Sequence, residues 1–111
     1  MIKDQNIFNR LITKGKYKKN NCFVIYKDHI EENLTNFGIA ISKKYGKAVE
    51  RNHIKRIVRN IIDKNRNLFQ KNYNYIIMVR KDCKNKTFNE LNDSMTAVLK
   101  ELWWLWRKEQ K

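Results

Sequence analysis

The sequence contains no proline, and its three glycines are scattered. No proline- or glycine-rich linker therefore divides the chain, and no internal repeat does either. Cysteine is almost as scarce: Cys22 and Cys83 form no Cys-x-x-Cys pair and have no His or Cys neighbour at zinc-ligand spacing. That pattern argues against a structural metal site and for two ordinary buried thiols. Long apolar runs are missing too. Nothing approaches the roughly 18 to 20 apolar residues that cross a bilayer, and no N-terminal apolar stretch has signal-peptide length. A cytoplasmic protein with reduced thiols and no membrane partner is expected. The last shortage is of acid: eleven Asp and Glu stand against twenty-five Lys and Arg, for a formal net charge of +14. Self-repulsion of that size is usually maintained because a polyanion neutralises it, which makes nucleic acid the leading partner.

Hydrophobic residues make up 41% of the chain and aromatics 12%, enough apolar material for a packed core rather than a disordered basic tail. The 111 residues fit one domain, taken as 1–111. From Asp4 to Lys14, Ile7, Phe8, Leu11 and Ile12 recur at helical spacing, with Asp4 as N-cap and Gly15 as C-cap. Lys16 to Asn21 reads as an exposed basic loop. Cys22 to Lys27 and Phe37 to Lys43 read as two strands, expected to pair antiparallel as a hairpin or meander. A helix follows from Ala48 to about Lys64, then a well-buried strand from Tyr73 to Arg80. A long terminal helix begins near Thr87, with Glu90 at the capping-box position. The predicted class is α+β, in the order α-β-β-α-β-α, with room for one further short strand.

The helix from Ala48 carries the functional argument. At about 100° per residue, Ile54, Ile57, Val58, Ile61 and Ile62 share one arc, Asn52, Lys55, Arg56 and Arg59 the neighbouring one, and Arg51 the boundary. The first arc suits docking on a sheet; the second presents cations and an amide to a phosphate backbone, where Arg also makes bidentate contacts. A merely solvated face would normally be interspersed with acids, and here only Glu50 and Asp63 flank it.

These residues also carry a family resemblance. Gly38-Ile-Ala-Ile-Ser42-Lys43-Lys44, followed by Gly46-Lys-Ala48-Val49-x-Arg51-Asn52-x-Ile54-Lys55-Arg56-x-x-Arg59, resembles the signature of bacterial ribonuclease P proteins. The flanking Phe8, Ile12, Phe23-Val24-Ile25-Tyr26 and Tyr75-Ile76-Ile77-x-Val79-Arg80-Lys81 are similar to family positions in order and spacing. Two positions depart from the pattern: His53 replaces a second Arg in the Arg-Asn-Arg run, and Ile12 stands where an aromatic is common.

The resemblance implies a two-layer sandwich with a mostly antiparallel sheet and a left-handed crossover. It implies an accessory subunit, with no catalytic residue of its own, of an endoribonuclease whose RNA performs magnesium-dependent removal of the 5′ leader from precursor tRNA. Mg2+ would be bound mainly by that RNA, with no cofactor specific to the protein, and one protein monomer would join each RNA. Lys43, Lys44, Lys47, Arg51, Asn52, Lys55, Arg56 and Arg59 would engage the RNA subunit. Phe8, Ile12, Phe23 and Tyr26 would line a cleft for the single-stranded leader, where aromatic stacking tolerates different bases, although Phe and Tyr on alternating strand positions equally suit a core. Trp103, Trp104 and Trp106 suit either helix packing or a partner-facing patch.

Two rival readings stay open on the residues alone. A ribosomal protein would share the size, charge and RNA partner. A self-sufficient nuclease would need acids for metal binding or a His pair, and His29, His53 and the loop cluster Asp28, Glu31 and Glu32 offer little of either.

Overall fold

The first helix, α1 (Gln5–Lys14), ends where the chain must pass close to a strand. Gly15 donates its N–H to the Leu11 carbonyl at 2.9 Å. A Cβ at Gly15 would sit 2.5 Å from the Leu11 oxygen and 3.0 Å from the Lys27 oxygen, both backbone atoms. Only glycine allows this approach. The computed structural model describes residues 5–31 and 33–109, apart from the side chains of residues 104–109. Asp4, expected as the helix cap, lies outside the described residues.

The segment expected to be a basic loop is in part a strand, β1 (Lys16–Lys19), paired antiparallel with β2 (Phe23–His29). Its lysines hide the β signal, because charge on an exposed edge guards against further strand pairing rather than reporting burial. Asn20 makes the turn: its Oδ1 accepts from the N–H groups of Cys22 and Phe23 at 3.0 and 2.9 Å, and its amide donates to Ser94 O at 2.9 Å. This strand fills the place left for one further short strand.

The sheet order is β1-β2-β4-β3, with β3 (Thr35–Ile41) and β4 (Tyr73–Val79). The expected antiparallel pairing of the second and third strands is therefore corrected. β4 lies between them, antiparallel to β2 and parallel to β3. The reason lies in β4 itself: Asn74 through Ile77 are buried without alternation, and a strand apolar on both faces belongs inside a sheet. Two of the three pairings remain antiparallel. The parallel pair needs a crossover, supplied by α2 (Ala48–Lys64).

One face of the sheet is covered. Phe23, Ile25, Tyr75, Ile77 and Val79 form a continuous core with Ile54, Val58, Ile61 and Ile62 of α2 and Leu91, Met95, Val98, Leu99 and Leu102 of α3 (Phe88–Glu109). The helical arc read from the sequence is the docked arc. α3 begins with the reciprocal cap: Thr87 N–H donates to Glu90 Oε1 at 3.1 Å, and Glu90 N–H to Thr87 Oγ1 at 3.2 Å. Trp103 is half-buried and donates Nε1–H to Leu68 O at 2.8 Å, whereas the side chains of Trp104 and Trp106 lie outside the described residues. Both thiols are buried; burial, then the neighbouring Cys22, pushes the Cys83 thiol up to about 12, so it is inert at neutral pH.

The opposite face is only partly covered. α1 packs across β2 and β4 and buries Leu11, leaving the rest of that face open.

Candidate functional site

The start of α2 is fixed by its one early acid. Glu50 turns back so that Oε1 accepts from the Lys47 N–H at 3.1 Å, while Oε2 meets Lys84 Nζ at 3.1 Å. A Cβ on Gly46 would lie 2.8 Å from Glu50 Oε1, so the glycine leaves room for the carboxylate. Arg51 grips the same peptide from its other side, donating Nη1–H to Gly46 O at 3.2 Å. The Lys47 N–H first, and Lys84 second, hold the Glu50 carboxyl below the ordinary range. At the far end Asp63 accepts from Arg66 Nε and Nη2 at 3.1 and 2.9 Å. Both acids of the helix are thus engaged by cations outside the arc that the sequence assigns to RNA.

On that arc Asn52, Arg56 and Arg59 are exposed, and Arg51 and Lys55 are half-buried. His53 is exposed beside them. The approach to the helix adds Lys43 and Lys44 in a 3-10 turn (Lys43–Tyr45) that Ser42 caps by accepting the Lys44 N–H at 3.2 Å. Lys43, Lys44 and Lys47 are all exposed. Val49, in the first turn, is 80% exposed, an apolar contact available to whatever covers the cations.

On the open face of the sheet lies a cleft of about 840 Å³, lined by Ile12 from α1, Tyr17 and Lys19 from β1, Val24 and Tyr26 from β2, Ala40 from β3 and Met78 from β4. Lys44, Arg80 and Lys81 line it as well, with Tyr45 among the remaining lining residues. Lys44 therefore lines the cleft while standing in the turn that leads into α2, and so links the cleft to the basic helix. Tyr17 and Tyr26 face each other across β1 and β2, with ring centroids 5.3 Å apart and planes inclined by 37°.

The expected leader-cleft set is only partly brought together. Ile12 and Tyr26 line the cleft; Phe8, half-buried one turn earlier on α1, is not in its lining. Phe23 is corrected outright: it is 0% exposed and belongs to the core. Alternation along β2 decides this, since Phe23 and Ile25 face the helices while Val24 and Tyr26 face the cleft. Tyr17, Lys19, Arg80 and Lys81 were missed as cleft residues. The alternation of Tyr17 and Lys19 was a usable signal, obscured because their segment read as loop.

The acids that a self-sufficient nuclease would need do not assemble into a metal site among the described residues. Asp28 pairs with Arg10 at 3.2 Å, the His29 ring meets Tyr73 edge-on at 5.4 Å, and Glu32 lies outside the described residues. No group of three or more His, Cys, Asp or Glu side chains suited to a metal ion occurs among the described residues. Nor, among these, is any helix long and apolar enough to cross a membrane.

Fold and site together define a small α+β protein with a polycationic helix joined to an aromatic-floored cleft. A family model described as Ribonuclease P matches residues 1–103. The chain is 35% identical over 100 residues to the ribonuclease P protein component of Bacillus cereus strain 03BB102, covering 89% of this chain and 87% of that protein. The solved RNase P protein of Staphylococcus aureus superposes with a TM-score of 0.83 at 32% identity, over 91% of this chain and 93% of that one. The Thermotoga maritima RNase P protein gives 0.82 at 25% identity, over 90% and 94%. The chain belongs to the bacterial ribonuclease P protein family.

Proposed function

We propose that the chain acts as one protein domain, residues 1–111, that binds the catalytic RNA of ribonuclease P through α2 and holds the single-stranded 5′ leader of precursor tRNA in the cleft. The observation that carries this reading is the place of Lys44, which lines the cleft and stands in the turn leading into α2, with both acids of that helix already engaged elsewhere. Lys43, Lys44, Lys47, Arg51, Lys55, Arg56 and Arg59 neutralise phosphates, and Asn52 donates to them. Such contacts set position and register without reading base identity. Hydrolysis belongs to the RNA, which also holds most of the Mg2+ the holoenzyme requires. The protein supports endonucleolytic release of the leader by positioning it. On this reading the chain works in the cytoplasm as a monomer, one per RNA.

Precursor-tRNA cleavage at low magnesium, with protein alone, cognate RNA alone and both together, tests the proposal. Efficient cleavage at the mature 5′ end only with both components, weakened by combining Lys55→Ala with Arg59→Ala, supports it. Cleavage by protein alone would place the catalytic groups in this chain and overturn it. RNA binding that never rescues cleavage would favour a general RNA-binding protein instead.

A further inference from the structure

We infer that Tyr17 is the ring on which the cleft stacks a base of single-stranded RNA, with Tyr26 as its backing. This rests on the leader-binding reading above. Ile12 faces the cleft from α1 but offers no π-face. Three rings line the cleft, Tyr17, Tyr26 and Tyr45; Tyr17 is 50% exposed and Tyr45 only 5%, while Tyr26 is half-buried in β2.

The geometry of Tyr17 and Tyr26 assigns the roles. Centroids 5.3 Å apart lie within the range of direct ring-to-ring contact, so no base fits between them. A base instead stacks on the outer face of Tyr17, whose inner face is held by Tyr26. Because the two residues are direct cross-strand partners, the platform is set by strand pairing and needs little ordering when RNA arrives. β1 is also an edge strand, so an RNA strand can leave the cleft past Tyr17 without crossing the sheet. Lys19 stands two residues further along the same face, about 6.8 Å away by strand rise, and lines the same cleft. A cation beside an exposed ring gives the pairing of stacking surface and phosphate contact that sequence-tolerant single-strand binding uses. A tyrosine serving only the sheet would gain its cross-strand contact with Tyr26 and be indifferent to any leader.

The test is made on the holoenzyme assembled with cognate RNA, comparing affinity for precursor tRNA carrying a single-stranded leader with affinity for leaderless tRNA. Wild type should prefer the leader-bearing substrate. Tyr17→Ala and Tyr17→Leu should each weaken that binding by about 5- to 30-fold and leave leaderless binding unchanged. Tyr17→Leu keeps an apolar side chain on β1 should the alanine variant fold poorly. Tyr17→Phe should behave as wild type, because stacking uses the ring. A full leader preference in Tyr17→Leu overturns the inference while leaving the leader reading intact. Equal losses in Tyr17→Phe and Tyr17→Leu would assign the effect to the hydroxyl and also overturn it. Absence of leader preference in wild type removes the leader reading, and this inference with it.

Discussion

Replacing Lys27 with methionine should stabilise the fold at neutral pH and leave RNA binding intact. Lys27 lies on β2 but points into the core at 3% exposure. Its Nζ is 3.1 Å from Gln70 Oε1, 3.4 Å from Leu102 O and 4.8 Å from the Tyr73 ring centroid. No carboxylate pairs with it among the described residues. Burial, reinforced by nearby Lys16, lowers its pKa from 10.5 to about 8. A depressed lysine pKa means that the unfolded chain binds more protons than the folded one between about pH 8 and 10.5, so stability rises with pH across that window. The destabilisation is fully present below pH 8 and amounts to about 3 kcal/mol from the shift. Methionine removes it but strands the Gln70 oxygen, which costs about 1–2 kcal/mol. The net gain at pH 7 is therefore about 1–2 kcal/mol, roughly 4–8 °C in Tm. Urea melts of both proteins at pH 7, 8, 9 and 10 give the decisive pattern: the variant's advantage should shrink steadily with pH and reverse as the wild-type amine becomes neutral. A stability difference independent of pH would show that the Lys27 charge is not the source of strain.

Lys55→Ala with Arg59→Ala should reduce the salt dependence of RNA binding as well as the affinity: the slope of log K against log salt should become shallower by about 1.4–1.8 for two lost phosphate contacts, as read by filter binding over a salt series. Phe23→Ala should cost about 3–5 kcal/mol of stability as a core truncation, measured by urea unfolding, and under conditions where the variant is folded its preference for leader-bearing substrate should match wild type. Gly15→Ala forces a Cβ against two backbone oxygens and should lower stability by about 1–3 kcal/mol, detectable by thermal melting with faster amide exchange in α1.

The elements that sequence reading placed well are those whose signal is local. α2 runs from Ala48 to Lys64 as expected because an uninterrupted 3.6-residue period specifies both its docked and its outward arc. The Thr87 and Glu90 cap lies within one turn and is equally legible. β1 reads as loop in the sequence because its lysines answer to an edge position, a property of the whole sheet. The order of β2 and β3 is hidden for a related reason: nearness in sequence favours a hairpin, whereas burial of β4 on both faces puts it between them. The site divides in the same way. The cations of α2 are legible because outward charge follows from helical phase. The cleft is not, because Phe23 and Tyr26 look alike in composition and only the register against β1 and β4 shows which ring faces open space.

That the chain folds, that it carries a strong positive charge and which arc of α2 presents it all follow from composition and period, which are properties of the chain. That Phe23 is core, that Tyr17 joins Tyr26 and that Lys44 links helix and cleft follow from the packed sheet. Those facts depend on which strands lie side by side, and strand order is set by burial summed over residues far apart in the chain.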